Sequence, residues 1–229
     1  MSNIKDKAKE YLSYQLSVIP TREDKTPTRP WTAYQSNRLR EAEVDNVFSG
    51  ANVKGVAIIC GNISGGLEVI DVDCKYDITG SLWDELRTLI QDNLPELYNN
   101  LVIAQTKSGG YHIYYRCTQI KGSTKLANRP TTAEEREQTY KSEITSGAKE
   151  EDAKNRSIND KVRVLIETRG EGGYVIAPPT PGYKFIQGDP GKIATITPQQ
   201  RDIILNIANS FNELVEEKPK IKTTPQPIY

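Results

Sequence analysis

The chain has 229 residues, 36% of them hydrophobic and 26% charged, and its 30 basic and 30 acidic residues cancel to a net charge of zero. This composition predicts a soluble globular protein with one large domain, or one domain with a subdomain. It excludes a protein that coats nucleic acid through bulk charge, but not one with local phosphate contacts. No apolar run approaches the about 20 residues of a membrane helix, and the charged N-terminus lacks the apolar core of a signal peptide.

The first predicted elements are a helix, a strand and a second helix. Apolar residues recur at helical spacing over residues 3–15. A short strand over 17–20 follows, then a polar stretch whose prolines forbid a regular element. Residues 41–48 are predicted to form a short helix.

Two apolar runs of β-forming residues come next, at 56–60 and 67–73, separated by a glycine-rich turn over 61–66. This pattern predicts a β-hairpin. A longer helix then begins after Ser81, an N-cap residue with an acid three positions later, and its apolar stripe ends before Pro95.

The second predicted hairpin joins strands over 101–106 and 111–117 through a tight glycine-containing turn. Residues 118–160 are polar and have few large apolar side chains, so we expect an inserted, mobile or helical excursion with a helix near 133–141. Strands follow at 162–168 and 174–177.

The last predicted helix is capped by Thr197 and has Pro198 at its first position. The proline-rich tail after it is expected to be a linker or strap. Because hairpins are mixed with helices and no regular βαβ alternation occurs, the pattern predicts an α+β fold with a largely antiparallel sheet and helices packed on one side.

Asp71 and Asp73 lie two residues apart at the end of an apolar strand, so both carboxylates are expected on one face. Adjacent acids repel each other, and a divalent cation between them keeps both ionised. The sequence therefore predicts a metal-binding pair. The alternative is a solvated surface pair.

His112, the only histidine, follows Gly109-Gly110 and shares a strand face with Tyr114 and Arg116. The two glycines permit close approach of the backbone to a phosphate. We expect a ligand-binding histidine. The alternative is a hydrogen-bonded packing residue.

Glu167 lies in a strand whose polar face also carries Arg163 and Arg169. It adds a third acid to the pair at Asp71 and Asp73, and this set suits a metal-dependent reaction on a nucleotide triphosphate. A simple ion pair with an arginine is the alternative.

Together these stretches resemble the bifunctional primase–polymerase (Prim-Pol) domain of the archaeo-eukaryotic primase superfamily. The resemblance rests on GLEVIDVD, SGGYHIYY and VLIETRGEGGYVIAPPT, with KTPTRPW near the start, in matching order and spacing over about residues 5–186. It implies an RRM-like catalytic sheet with an N-terminal α/β part. The primase–polymerase domain would cover residues 1–212, with the polar insertion at about 118–160, and 213–229 would form the linker or strap.

The resemblance also implies roles for individual residues. Asp71, Asp73 and Glu167 would be the catalytic residues and would hold two Mg²⁺ or Mn²⁺ ions. Many relatives have aspartate where this chain has Glu167, which makes the metal spacing a point to test. The incoming nucleotide would bind the following residues: Lys107, Ser108, Gly109, Gly110, His112 and Arg169.

The implied activity is template-dependent nucleotidyl transfer in the replication of a plasmid, phage or other mobile element. Its partners would be a single-stranded DNA template, a primer, ribo- or deoxynucleoside triphosphates and a fused or associated helicase, with no membrane. Three scattered cysteines and one histidine favour neither a zinc stem nor a disulfide framework and fit a reducing cytoplasm.

One alternative function is a non-catalytic single-stranded nucleic-acid-binding module that stacks bases on tyrosines. The other, a replication-initiator nuclease, would need a second histidine.

Overall fold

The structure is a computed structural model that describes residues 3–214. Within these residues there are seven α-helices: α1 (Ile4–Ser13), α2 (Glu41–Val47), α3 (Leu82–Asn93), α4 (Pro95–Tyr98), α5 (Ala133–Thr145), α6 (Glu150–Asn159) and α7 (Pro198–Asn209). The strands of the same residues are β1 (Ser17–Thr21), β2 (Gly55–Ile59), β3 (Leu67–Val72), β4 (Val102–Gln105), β5 (Tyr111–Arg116), β6 (Thr124–Pro130), β7 (Val162–Arg169), β8 (Tyr174–Ala177) and β9 (Lys184–Gln187).

The strands form two sheets. The larger has six strands in the order β6-β7-β3-β5-β4-β9, and the smaller has the order β1-β2-β8. Neighbouring strands in both sheets are antiparallel. The predicted α+β class with a largely antiparallel sheet is therefore confirmed, and β3 lies in the interior of the larger sheet.

Side chains that alternate along β3 and β5 enter two different cores. Ile70 and Ile113 pack in a core that includes α3 and α7, whereas Val69 and Tyr114 pack in a core shared with the smaller sheet, α1 and α2. The sequence predicts helices on one side only. The other side of the larger sheet is covered by the smaller sheet together with two further helices.

Local signals set several helix starts. Thr197 and Gln200 form the capping box of α7, and Pro198 occupies its first turn. Ser81 is at the predicted N-cap of α3, but its side chain makes no capping hydrogen bond. Instead, the amide of Leu82 donates to the carboxylate of Asp77 at 2.9 Å.

The predicted hairpin between residues 56–60 and 67–73 is wrong. β2 pairs with β1 and β8 in the smaller sheet, while β3 pairs with β5 and β7 in the larger one. The connecting glycines adopt positive φ angles, 101° at Gly61 and 73° at Gly66. Glycine tolerates this conformation, so the chain can cross from one sheet to the other where a hairpin would reverse.

Two strands were not predicted from the sequence. β6 lies inside the polar segment 118–160 and pairs with β7, and β9 forms an edge next to β4. The same segment contains α5, which extends beyond the predicted 133–141, and α6, which was not predicted. Most of the predicted linker at 213–229 lies outside the described residues. Within residues 3–214, no helix combines the length and the apolar character needed to cross a membrane.

Candidate active site

The predicted site residues of three strands meet because β3 lies between β5 and β7. Asp71 is opposite His112 on one side and opposite Glu167 on the other. Directly opposed residues of antiparallel strands project from the same face of a sheet. The register therefore brings two acids and the histidine together in the middle of the larger sheet.

Asp71 is bracketed by two nitrogen donors. Its Oδ1 lies 3.4 Å from Nε2 of His112, and its Oδ2 lies 3.5 Å from Nε of Arg169. Burial acts to raise the pKa of Asp71, but the interactions with His112 and Arg169 outweigh it and leave the pKa below its usual range. The Asp71 carboxylate is therefore held ionised in a largely desolvated place.

Asp73 follows β3 and precedes a 3₁₀ turn, Cys74–Tyr76. Its amide donates to the carbonyl of Leu165 at 2.8 Å, which continues the contact between β3 and β7 for one more residue. Its carboxylate lies 3.3 Å from Nζ of Lys75. Asp71 and Asp73 line the same cavity, as their shared strand face predicts.

Glu167 is half-buried and binds the guanidinium of Arg169. Burial raises the pKa of Glu167, the nearby charges of Asp71 and Asp73 act in the same direction, and Arg169 opposes them. Arg169 thus contacts two of the three acids at once. Glu167 does not itself line the cavity.

The cavity has a volume of about 440 Å³ and is lined by strands of both sheets. Both polar groups and aromatic rings line it. Its polar lining includes Asp71, Asp73, Lys75, Thr106, Ser108, His112, Ser123 and Arg169. Such a mixture suits a ligand that has both a charged end and a planar ring.

The turn between β4 and β5 contains the other predicted nucleotide-binding residues. Ser108 lines the cavity, whereas Lys107 lies outside it and is 3.2 Å from Glu23. A Cβ atom at Gly110 would lie 2.2 Å from the carbonyl oxygen of Val72. This glycine therefore lets the turn pack against β3, and Gly109 supplies the positive φ, 80°, that the turn requires.

Eleven cavity-lining residues were not predicted as site residues, and the large side chains Lys25, Trp31, Tyr174 and Tyr183 are among them. The rings of Trp31 and Tyr174 meet edge to face at 5.1 Å, and Tyr183 lies 6.0 Å from the His112 ring. Lys25, Trp31 and Tyr174 occur in the stretches KTPTRPW and GGYVIAPP, which could have drawn attention to them. No local signal singles out Tyr183.

In residues 3–214 no three His, Cys, Asp or Glu side chains are grouped closely enough to form a ready-made metal site. The acids instead face Arg169, His112 and Lys75. The nitrogen atoms of these three side chains lie 3.3–3.5 Å from the carboxylate oxygens of Asp71 and Asp73. These distances are longer than those of well-formed charge-assisted hydrogen bonds. The metal-ligand atoms that Asp71, Asp73 and Glu167 offer are all carboxylate oxygens. Mg²⁺ and Mn²⁺ prefer such ligands, so the chemistry of these three residues fits these ions.

The model of the family described as bifunctional DNA primase/polymerase, N-terminal, matches residues 8–200. The chain belongs to this family. The match covers the strands that carry Asp71, His112 and Glu167 and the segments that carry Lys25, Trp31, Tyr174 and Tyr183. Membership of the Prim-Pol family indicates DNA primase/polymerase activity, with DNA and nucleotides as substrates. Domains of this kind generally use divalent metal ions. A search among curated proteins found no match.

Proposed function

We propose that this Prim-Pol domain transfers nucleotides to a primer on a single-stranded DNA template, by a two-metal mechanism, in the replication of a plasmid, phage or other mobile element. The last point rests on the family resemblance alone. The observation that carries the proposal is the register of β5, β3 and β7, which sets His112, Asp71 and Glu167 side by side on one face.

Asp71, Asp73 and Glu167 are the residues that would hold two Mg²⁺ or Mn²⁺ ions. When bound, such ions activate the 3′-hydroxyl of the primer and stabilise the leaving pyrophosphate. Arg169 neutralises part of the acidic charge in the structure described, through Asp71 and Glu167. Cations at these carboxylates would take over that role, and the guanidinium of Arg169 would then be free for a phosphate.

His112 is contacted from both sides, which supports a contact with the triphosphate. Nδ1 lies 3.3 Å from the hydroxyl of Tyr114, and Nε2 faces Asp71. The residue is 5% exposed, so rotation of its ring is restricted. Ser108, on the neighbouring turn, would add a hydroxyl and a backbone amide for the same phosphates, and Gly109 and Gly110 fix the shape of that turn.

The aromatic side of the cavity is suited to a nucleobase. Trp31, Tyr174 and Tyr183 present ring surfaces there, and stacking on such rings is tolerant of base identity. Tolerance of this kind is what a template-directed enzyme needs, because the template must choose the base.

Template and primer phosphates would lie on a basic surface next to the cavity. A shallow groove lined by Lys107 and Lys184 shares Thr106 and Tyr183 with the cavity. We propose that Lys107 contacts DNA from this groove, since its position outside the cavity does not support the nucleotide contact expected from the sequence.

Primer extension tests the proposal. The protein is incubated with a primed single-stranded template, nucleotides and Mn²⁺, beside an Asp71→Asn and an Asp73→Asn variant. Because several kcal/mol of charge stabilisation would be lost, the extension rate of both variants should fall by a factor of about a thousand or more. Asp202→Asn, an exposed acid of α7, is the matched control and should extend like the parent.

A folded parent that binds single-stranded DNA but extends no primer would instead favour the non-catalytic binding module. Parental extension rates in Asp71→Asn would refute the metal role of that residue.

A further inference from the structure

Arg129 of β6 is a buried cation that belongs to none of the groups described so far. It is 3% exposed. Its Nη1 and Nη2 donate to the two carboxylate oxygens of Glu135 in α5 at 2.8 and 2.6 Å. Its Nε donates to the backbone carbonyl of Tyr76 at 2.6 Å. One planar side chain thus joins the α5–α6 pair to the loop that follows Asp73.

The Tyr76 carbonyl is the last one of the short turn that begins after Asp73. The amide of Tyr76 donates back to the carbonyl of Asp73 at 3.1 Å. The Tyr76 ring lies beneath two cations, with Lys75 at 4.5 Å and Arg163 at 5.5 Å. The three-residue turn follows Asp73 and carries Lys75, whose Nζ lies 3.3 Å from the Asp73 carboxylate. Arg129 binds the far end of that turn.

The α5–α6 pair is attached to the sheet mainly by charge. α5 has no buried residue, and α6 buries only Ala153. Glu135 binds Arg129 and lies 3.5 Å from Arg163, which in turn binds Asp160 at the end of α6. These contacts converge on the two arginines that hold Tyr76, so the polar segment is organised around the Asp73 loop.

We infer that Arg129 is a positioning residue that keeps the Asp73 carboxylate directed into the cavity for metal binding. The inference rests on the metal role proposed for Asp73. Residues that hold a metal ligand in place typically change metal affinity 10- to 100-fold when replaced. Arg129 has the geometry for such a role, because its fixed fork donates to Glu135 and Tyr76 at the same time.

The test is Mn²⁺ binding by the full chain, measured from the electron paramagnetic resonance signal of free Mn²⁺, with DNA and nucleotide absent. Arg129→Met should bind Mn²⁺ about 10- to 100-fold more weakly than the parent. Arg156→Met is the matched control, because Arg156 also pairs α6 with α5, through Glu143, but does not contact the Asp73 loop. It should keep the parental affinity.

Arg129→Lys is a second variant that keeps the test usable if Arg129→Met does not fold. Lysine keeps the charge but cannot donate to Glu135 and Tyr76 with the same planar fork, so an intermediate Mn²⁺ affinity is expected. Circular dichroism and the melting temperature establish that each variant is folded at the assay temperature. Folded Arg129 variants with parental Mn²⁺ affinity would overturn the inference. If Asp73→Asn also binds Mn²⁺ like the parent, the proposed metal role itself fails, and the inference fails with it.

Discussion

Arg201 of α7 binds both carboxylate oxygens of Glu68 in β3, at 2.6 and 2.9 Å. The hydroxyl of Tyr115 donates to the same carboxylate at 2.6 Å. Glu68 has no exposed surface. This ion pair joins α7 to the strand that carries Asp71.

Breaking this pair should destabilise the whole fold. Glu68→Gln leaves the Arg201 guanidinium buried without a counter-charge, which costs about 3–5 kcal/mol. Urea unfolding at neutral pH measures the change. Asp84→Asn removes an exposed pair with Arg87 and should change the unfolding midpoint little. A stable Glu68→Gln protein would mean that water reaches Arg201.

Glu167→Gln should weaken Mn²⁺ binding about tenfold or more, because a neutral amide is a poorer ligand for a hard cation. Extension should fall with it. Glu171→Gln is the control, since Glu171 accepts a hydrogen bond from the Asn62 amide and lies outside the cavity. Equal Mn²⁺ affinities of Glu167→Gln and the parent would leave Glu167 as an ion-pair partner of Arg169.

His112→Ala should raise the nucleotide KM about 10- to 100-fold, the cost of a hydrogen bond to a charged group. DNA affinity should stay the same, because other residues would contact the template. A packing histidine would give the opposite pattern, a lower melting temperature with an unchanged KM. Tyr114→Phe, which keeps the ring of His112 but removes its Nδ1 contact, should give a smaller rise in KM.

Replacing Lys107 and Lys184 together by alanine should weaken single-stranded DNA binding and leave the nucleotide KM unchanged. Loss of two phosphate contacts reduces the slope of log K against log salt by about 1.4. Fluorescence anisotropy at several salt concentrations measures this slope. The control is the double alanine variant of Lys149 and Lys154, which are exposed residues next to and in α6. If the Lys107 and Lys184 double variant keeps the parental slope of log K against log salt, these lysines do not contact the DNA.

The Arg129–Glu135 pair should make stability depend on acid pH. Hydrogen bonds from Arg129 lower the pKa of Glu135 to about 2, from an ordinary value of 4.5. A carboxyl with a depressed pKa contributes its full stabilisation above the unfolded pKa and loses it as pH falls from about 4.5 to 2. Glu135→Gln should therefore lose less stability than the parent between pH 6 and pH 3, measured by urea unfolding.

The strands of the site could be predicted because an alternating pattern determines which residues share a face. That pattern placed Asp71 with Asp73, and His112 with Tyr114. The pattern could not pair β2 with β8. It also could not assign β2 and β3 to different sheets, because glycines at positive φ occur in a crossing between sheets as well as in a hairpin turn.

Other parts carry too little local signal. In β6 the buried apolar side chains are Leu126 and Ala127, between polar neighbours, so its pairing with β7 is a tertiary effect. Arg129 contacts the Tyr76 carbonyl, and Tyr183 contacts the His112 ring, only because segments distant in the chain meet. The propensity of single residues does not encode such contacts.

The interior position of β3 restricts where the chain can change in length. One extra residue in β3 or β7 would turn every later side chain of that strand to the opposite face, and Asp71 or Glu167 would then enter the α3–α7 core. The connection between α5 and α6, residues 146–149, carries no strand register. A fluorescent tag or an affinity epitope can therefore be inserted there, while the same insertion in β3 would disrupt the candidate active site.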